Sequence, residues 1–277
     1  NKKTIYVGTF MGGVTAFTYS LGNLTLDKQK MQTLRSISNT DARKIIVDDN
    51  ESIWIATNGM GLNKVDFINK TIITYSQNNA NKSRRIPSDW LRDVLKDSKG
   101  NIWIGSINGL SRISKTNKIT TFKNLGTQSG EINSNIIYTI YEDSKKRIII
   151  GTDLGYNFFN ETTKTFNSHL LSDNNSSRSM MSIVEDLNKD FWVGTESGLL
   201  RLRWTNKKGD NQAITTFRYS DGLPQMSFVS NAITCLKSGE VALGTNNGIL
   251  FISPKDIQAD TVIPQIRITE LLLFNKA

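Results

Sequence analysis

Among the side chains that most often do chemistry, the sequence holds one histidine, His169, and one cysteine, Cys235. A single copy of each excludes an internal disulfide and any metal centre built from histidine and cysteine. A histidine-dependent triad needs serine and aspartate partners brought by the fold, and no spacing in the chain marks them. Asp48, Asp49 and Asp221 have the chemistry to contact a cation, but aspartate beside a tight turn more often holds its own backbone. The residue types left for function are those that bind. Arg43, Asp89, Trp90, Arg92, Asn135, Tyr138, Arg178 and Phe228 form one set, and Asn58, Asn108, Asp153, Glu196 and Asn246 a second. Aromatic faces stack on sugar rings, amides and carboxylates bond hydroxyl groups, and guanidinium forks pair with carboxylate or sulfate. The mixture suits a glycan, with Trp90 and Arg92 as its foremost members.

Such residues need a scaffold, and the composition supports a large one. The chain has 277 residues, 38% hydrophobic and 9% aromatic, enough for a sizeable core without the depletion typical of disorder. Thirty-four Lys and Arg against 25 Asp and Glu give a net charge of +9. That charge is compatible with acidic glycans, nucleic acid or anionic lipid, yet the basic residues are scattered and read as a solvated surface. No apolar run approaches the ~18 residues of a membrane helix, and no signal-type apolar region opens the chain. Both ends read as strand-like, which is expected of a segment of something longer.

The positioning elements show themselves as a repeat. Tyr6-Val7-Gly8-Thr9, Trp54-Ile55-Ala56-Thr57, Trp103-Ile104-Gly105-Ser106, Ile149-Ile150-Gly151-Thr152, Trp192-Val193-Gly194-Thr195 and Ala242-Leu243-Gly244-Thr245 share one pattern. Their small residues fall at positions 8, 56, 105, 151, 194 and 244, in the spacing of propeller blades. Eight residues earlier stand Asp48, Asp97, Asp143 and Asp186, with Leu236 the exception, and five or six residues later comes an apolar residue preceded by a glycine. Val94-Leu95, the turn Asp97-Ser98-Lys99-Gly100-Asn101 and Ile102-Trp103-Ile104 predict a hairpin. The step at Gly109 opens a third strand, and Thr71–Tyr75, Ile119–Phe122, Thr165-Phe166 and Ile214–Phe217 supply a fourth. Four strands per unit make one blade of an all-β propeller, with six units visible and six or seven blades allowed. The first unit lacks its leading strand.

In this register Trp54, Trp103 and Trp192 occupy equivalent strand positions, where packing between blades accounts for them. Trp90 and Trp204 lie off the repeat and are the better candidates for exposed aromatics. His169 falls at the end of an outer strand. The two sets of candidate binding residues fall on loops between blades and on turns between second and third strands, where propellers commonly carry ligands.

The unit Val94-x-x-Asp97-x-x-Gly100-x-Ile102-Trp103-Ile104-Gly105-Ser106-x-x-Gly109-Leu110 resembles the two-component-regulator propeller repeat of Bacteroidetes hybrid histidine kinases. A sialidase Asp-box orders its residues differently, and Arg84, Arg85, Arg92, Arg178 and Tyr138 show no spacing that would join them as an arginine cluster with a tyrosine nucleophile. The segment Tyr219–Pro224 and the run Gly244–Pro254 are similar to the last blade of that family, and Pro264–Thr269 resembles the opening strand of a following Ig-like domain. The resemblance implies a propeller over 1–258, then a linker and first Ig-like strand over 259–277. It implies a non-catalytic periplasmic sensor module, with the kinase elsewhere in an inner-membrane protein attached through segments outside this chain. It further implies an oligosaccharide ligand, a second propeller, a homodimer, no cofactor and no direct contact with nucleic acid. A protein-interaction scaffold is the alternative, and a propeller lyase or hydrolase a more distant one.

Overall fold

The second to fifth repeats each fold from a hairpin that begins at an aspartate, Asp48, Asp97, Asp143 or Asp186. In the third repeat Asp97 Oδ1 accepts the backbone N–H groups of Lys99 (3.0 Å) and Asn101 (2.8 Å), while Oδ2 accepts the indole N–H of Trp103 (2.8 Å). Asp186 does the same for Asn188, Asp190 and Trp192, and Asp48 Oδ2 takes the indole N–H of Trp54 at 2.9 Å. Where Ile149 stands in place of tryptophan, Arg147 Nε fills the vacated donor role on Asp143 Oδ2 at 2.6 Å. In the last repeat both partners are gone together, as Leu236 and Ala242. The fourth residue of the turn needs a left-handed backbone, met by Gly100 (φ +79°) and Gly239 (φ +90°) and, at greater conformational cost, by Lys146 (φ 64°) and Lys189 (φ 69°).

The computed structural model describes residues 3–37, 41–48, 51–171, 179–196, 198–204, 212–223 and 227–257. These form a six-bladed β-propeller of small antiparallel sheets. Blade 1 is β1 (Lys3–Thr9), β2 (Gly13–Ser20) and β3 (Asn23–Leu26), followed by a short helix α1 (Lys28–Leu34) capped by Asp27. Blade 2 is β4 (Ala42–Val47), β5 (Ser52–Thr57), β6 (Leu62–Asp66) and β7 (Thr71–Tyr75). Blade 3 is β8 (Leu91–Lys96), β9 (Ile102–Ser106), β10 (Gly109–Ile113) and β11 (Ile119–Phe122). Blade 4 is β12 (Ile137–Glu142), β13 (Ile148–Thr152), β14 (Gly155–Asn160) and β15 (Thr165–His169). Blade 5 is β16 (Ser182–Glu185), β17 (Phe191–Gly194), β18 (Leu199–Trp204) and β19 (Gln212–Phe217). Blade 6 is β20 (Phe228–Cys235), β21 (Val241–Thr245) and β22 (Gly248–Ile252). The four strand segments assigned as outer strands from sequence all fall within β7, β11, β15 and β19, and blade 1 begins on what is the second strand elsewhere. The linker and Ig-like strand expected over 259–277 lie outside the described residues.

Core packing repeats with the sequence. The face of each sheet toward the next blade carries the tryptophan or its substitute and the apolar residue after the third-strand glycine. These pack on the two apolar second-strand residues flanking the next tryptophan position. Trp103 and Leu110 meet Ile148 and Ile150, Ile149 and Tyr156 meet Phe191 and Val193, and Trp192 and Leu199 meet Val241 and Leu243. Trp103 and Trp192 are wholly buried, so the repeat tryptophans are core. A cation closes the outer side of each aromatic: Lys64 over Trp54, Arg112 over Trp103 and Arg201 over Trp192, at 5.1–5.3 Å. In blade 4 aromatic and cation trade strands, with Arg147 4.6 Å from the Phe158 ring. Serines after the turn aspartates tie blades together, Ser98 donating to Glu142 and Ser144 to Glu185.

Replacing Asp97 with Ala strands a buried indole N–H and opens the turn, and we expect a loss of about 2–3 kcal/mol in urea unfolding. Combining it with Trp103→Phe should cost less than the sum of the single changes, because the two residues serve one bond. Additive losses would contradict the coupling.

Candidate functional site

The inner strands line the propeller axis, and each of three inner strands is broken near its start by a β-bulge. The register of β4 with β5 slips between Ala42 and Lys44, of β8 with β9 between Leu91 and Asp93, and of β12 with β13 between Ile137 and Thr139. A bulge pushes its extra residue out of the ladder. The extra residues here are Arg43, Arg92 and Tyr138. In β20 a longer irregularity between Phe228 and Ile233 contains Asn231, in a left-handed conformation (φ 59°).

Asn231 crosses the axis and ties three other blades. Its side-chain amide donates to the Arg92 carbonyl (3.1 Å) and the Tyr138 carbonyl (3.0 Å), and its backbone N–H donates to the Met181 carbonyl (3.2 Å). The bulges have released the carbonyls of Arg92 and Tyr138 from the ladder, and one asparagine satisfies both. Above it opens a cavity of about 380 Å³ lined by Phe10, Asp41, Ala42, Arg43, Asn58, Leu91, Arg92, Val229, Ser230 and Asn231. Blades 1, 2, 3 and 6 therefore share one pocket at the mouth of the channel.

The charges in it are arranged unequally. Asp41 Oδ2 accepts Arg43 (3.1 Å) and the Asn58 amide (2.9 Å), fixing both at the rim. The Arg92 guanidinium lies 4.8 Å from the centre of the Tyr138 ring, and its Nε is buried without a hydrogen-bond partner. A guanidinium N–H left buried without a partner carries an uncompensated desolvation cost. Trp90 pairs its backbone with Asn58, leaving the indole exposed beside the pocket.

The structure thus brings Arg43, Asn58, Trp90, Arg92 and Tyr138 to one mouth. Asp89 holds neighbouring loops instead, its carboxylate accepting the Gln77 N–H and its carbonyl those of Gly59 and Gly61. Asn108 bonds the Pro87 carbonyl and Lys123, and Asn135 and Asn124 bond each other reciprocally. Asn246 closes a turn onto Ser227, and Glu196 is exposed after β17. Asp153, in the turn between β13 and β14, has a buried Oδ1 with no hydrogen-bond partner. Phe228 is a correction: it is buried between blades 5 and 6 with Trp192 and Leu243, where its apolar ring is worth more than at a wet rim. Arg178 and the side chain of Trp204 lie outside the described residues. Sequence reasoning missed Asp41, Asn231 and Phe10. A signal for Asn231 existed, since Arg43, Arg92, Tyr138 and Asn231 each precede the Gly or Ala of their repeat by the same interval, at positions 43, 92, 138 and 231 against 56, 105, 151 and 244.

One buried acid lies next to this ring. Asp93 follows Arg92 and bridges blades, Oδ2 accepting the Ile140 N–H at 2.7 Å and Oδ1 the Val94 N–H at 2.9 Å, with Lys44 Nζ 3.9 Å away. Complete burial pushes its carboxyl up to about 6, while Lys44, the two backbone N–H groups and Thr139 pull the other way.

The two-component regulator propeller family matches residues 85–108 and 131–153. Over 279 residues the chain is 32% identical to Histidine kinase P4 of Formosa agariphila, covering 99% of this chain and 20% of that protein. Its fold superposes on the extracellular domain of a putative hybrid two component system from B. thetaiotaomicron with a TM-score of 0.71 and 23% identity, over 91% of this chain and 32% of the other. A catalytically inactive virginiamycin B lyase from Staphylococcus aureus shares the fold at a TM-score of 0.53 and 13% identity, over 93% and 89%. The chain thus spans about a fifth of its curated relative and a third of the first solved structure. The fold alone is shared by sensors and an enzyme.

A carboxyl raised from 3.8 to about 6 binds protons more tightly in the folded state. Between those values the native protein holds more protons than the unfolded one, so this group's contribution to stability declines as pH rises from about 4 to about 6, by at most roughly 3 kcal/mol. Unfolding of the parent and Asp93→Asn across this range should show the variant lacking that decline. Parallel curves would contradict it.

Proposed function

We propose that this chain, which carries two-component regulator propeller repeats, is a periplasmic sensor propeller of a hybrid histidine kinase and binds polysaccharide-derived oligosaccharides at its channel mouth. The observation that carries the sensor reading is the 32% identity to a histidine kinase along 99% of the chain. The glycan reading is supported by the pocket itself. A donor-rich rim of Arg43, Asn58 and Arg92 beside the exposed Trp90 indole offers stacking and forked hydrogen bonds together. The guanidinium groups of Arg43 and Arg92 at the pocket favour a sugar bearing a carboxylate or sulfate.

The segment works by binding and not by turnover. The acid in the pocket, Asp41, is engaged by Arg43 and Asn58, which suits it to holding the rim and not to proton transfer. A ligand there contacts strands of several blades, so its binding energy couples to how those blades pack. To signal, it must favour one arrangement of the propeller against the downstream Ig-like domain, in a homodimer of the full protein, over another. Transcription of glycan-utilisation genes is the output.

Calorimetric titration with defined acidic and neutral oligosaccharides tests this. We expect binding without turnover, weakened about tenfold or more by Arg92→Ala and by Trp90→Ala. Unchanged affinity in folded variants would remove the mouth as the site, and cleavage of the oligosaccharide would remove the sensor reading.

A further inference from the structure

The bulges that turn Arg43, Arg92 and Tyr138 out of the ladder place a second set of residues directly after them, one step further along the axis. Lys44, Asp93 and Thr139 follow in sequence and stand opposite Ala56, Gly105 and Gly151, the small residues of the repeat. Ser182 and Ala232 hold the same place in blades 5 and 6, Ser182 opposite Gly194 and the Ala232 methyl against Gly244. Around the axis this layer therefore holds one cation, one anion, two hydroxyls and one methyl. The fold does not require the charges, because serine and alanine serve the position in blades 5 and 6.

Asp93 is nonetheless buried there, with Lys44 Nζ at 3.9 Å, the Ile140 and Val94 N–H groups on its oxygens and the Thr139 hydroxyl beside it. A serine would avoid the desolvation that burying this carboxylate costs. The peptide that joins Asp93 to Arg92 carries the carbonyl held by Asn231 at the floor of the pocket, so the acid lies one residue below the mouth. The charge facing it is Lys44 on β4, with Arg43, Arg92 and Tyr138 one residue nearer the mouth. Strands β5 and β9, packed on the same β8, carry no titratable side chain, and Cys235 of β20 lies by Asp186 instead. We propose that Asp93 is a proton-linked control of the mouth pocket: protonating it leaves the Lys44 charge uncompensated beneath Arg92, and an acidic ligand is then held more tightly. This rests on the reading of the pocket as a site for acidic oligosaccharides and adds its regulation. Ionised, Asp93 cancels Lys44 and opposes an anion above it; neutral, it donates its proton to the Thr139 hydroxyl and still accepts the Ile140 N–H. By linkage the bound anion raises the proton affinity of Asp93 in turn, so binding takes up a proton. Burial holds this carboxyl at about 6, so the gain in affinity is present below that pH and is lost as pH rises through it.

Calorimetric titration with digalacturonate, whose carboxylates stay ionised over this range, measures the effect. Affinity should fall about three- to tenfold between about pH 5 and about pH 7, and the heat of binding should vary with the ionisation enthalpy of the buffer, the mark of proton uptake. Both effects should vanish in Asp93→Asn, which binds throughout as the parent does at the acid end. His169→Gln should keep both, since this single histidine sits on the outer strand of blade 4 against Tyr156. A flat profile in the parent, or one that Asp93→Asn retains, would overturn the proposal. If digalacturonate binds neither chain at any pH, the glycan reading fails, and the ligand-free chain decides this proposal. There the Asp93 carboxyl, followed by NMR of its carboxyl carbon, should titrate at higher pH in Arg92→Gln and in Lys44→Met than in the parent, because each change removes a positive charge near it. A midpoint unmoved by Arg92→Gln would show that acid and mouth are uncoupled and would overturn the proposal without a ligand.

Discussion

The whole propeller depends on one carboxylate with two jobs. In Asp97 and Asp186 one oxygen accepts turn N–H groups, fixing where the first strand ends and the second begins; the other accepts the indole N–H of Trp103 or Trp192, six residues on. The tight hairpin and the position of the largest core side chain are therefore set by the same atom pair. Once the indole is held, the next blade has one surface to pack on, and a cation from the third strand closes its outer side. The substitutions obey this logic. Losing the indole in blade 4 brings in Arg147 as donor to Asp143, and in blade 6 the acid and the indole disappear as a pair.

The mouth of the channel follows from a second constraint, that a strand with an extra residue must put it somewhere. Bulges at Arg43, Arg92 and Tyr138 aim side chains off the ladder while leaving the rest of each strand in register. The cost is a set of released carbonyls, and Asn231 pays for two of them by reaching across the axis. Rigid blades thus support a ring of variable side chains, the division of labour expected of a binding scaffold. The same asparagine gives the pocket its floor and links blade 6 to blades 3 and 4.

The fold was legible because its unit repeats. Six registers of one pattern reveal strand order, the buried tryptophans and the missing leading strand of blade 1, where one copy would show only a hairpin. The site was legible in part. Arg43, Asn58, Trp90, Arg92 and Tyr138 stand out as unusual types on loops at one end, and they converge there. Phe228 did not, since an aromatic beside a loop reads alike whether it faces solvent or the neighbouring sheet. Asp41 escaped because its bond to Asn58 joins residues apart in sequence, and Asn231, although it holds the same repeat position as Arg43, Arg92 and Tyr138, shows its bonds across the axis only in the fold. The short helix α1 was hidden by a chain otherwise composed of strands.

Hydrogen exchange of this chain with and without a pool of acidic oligosaccharides tests the central claim, that a rigid repeat presents a ligand pocket at one mouth. Slowed exchange should be confined to residues 41–43, 58, 90–92 and 229–231, with the aspartate turns at the opposite face protected equally in both states. Unchanged exchange at the mouth, or protection appearing at the aspartate turns, would contradict it.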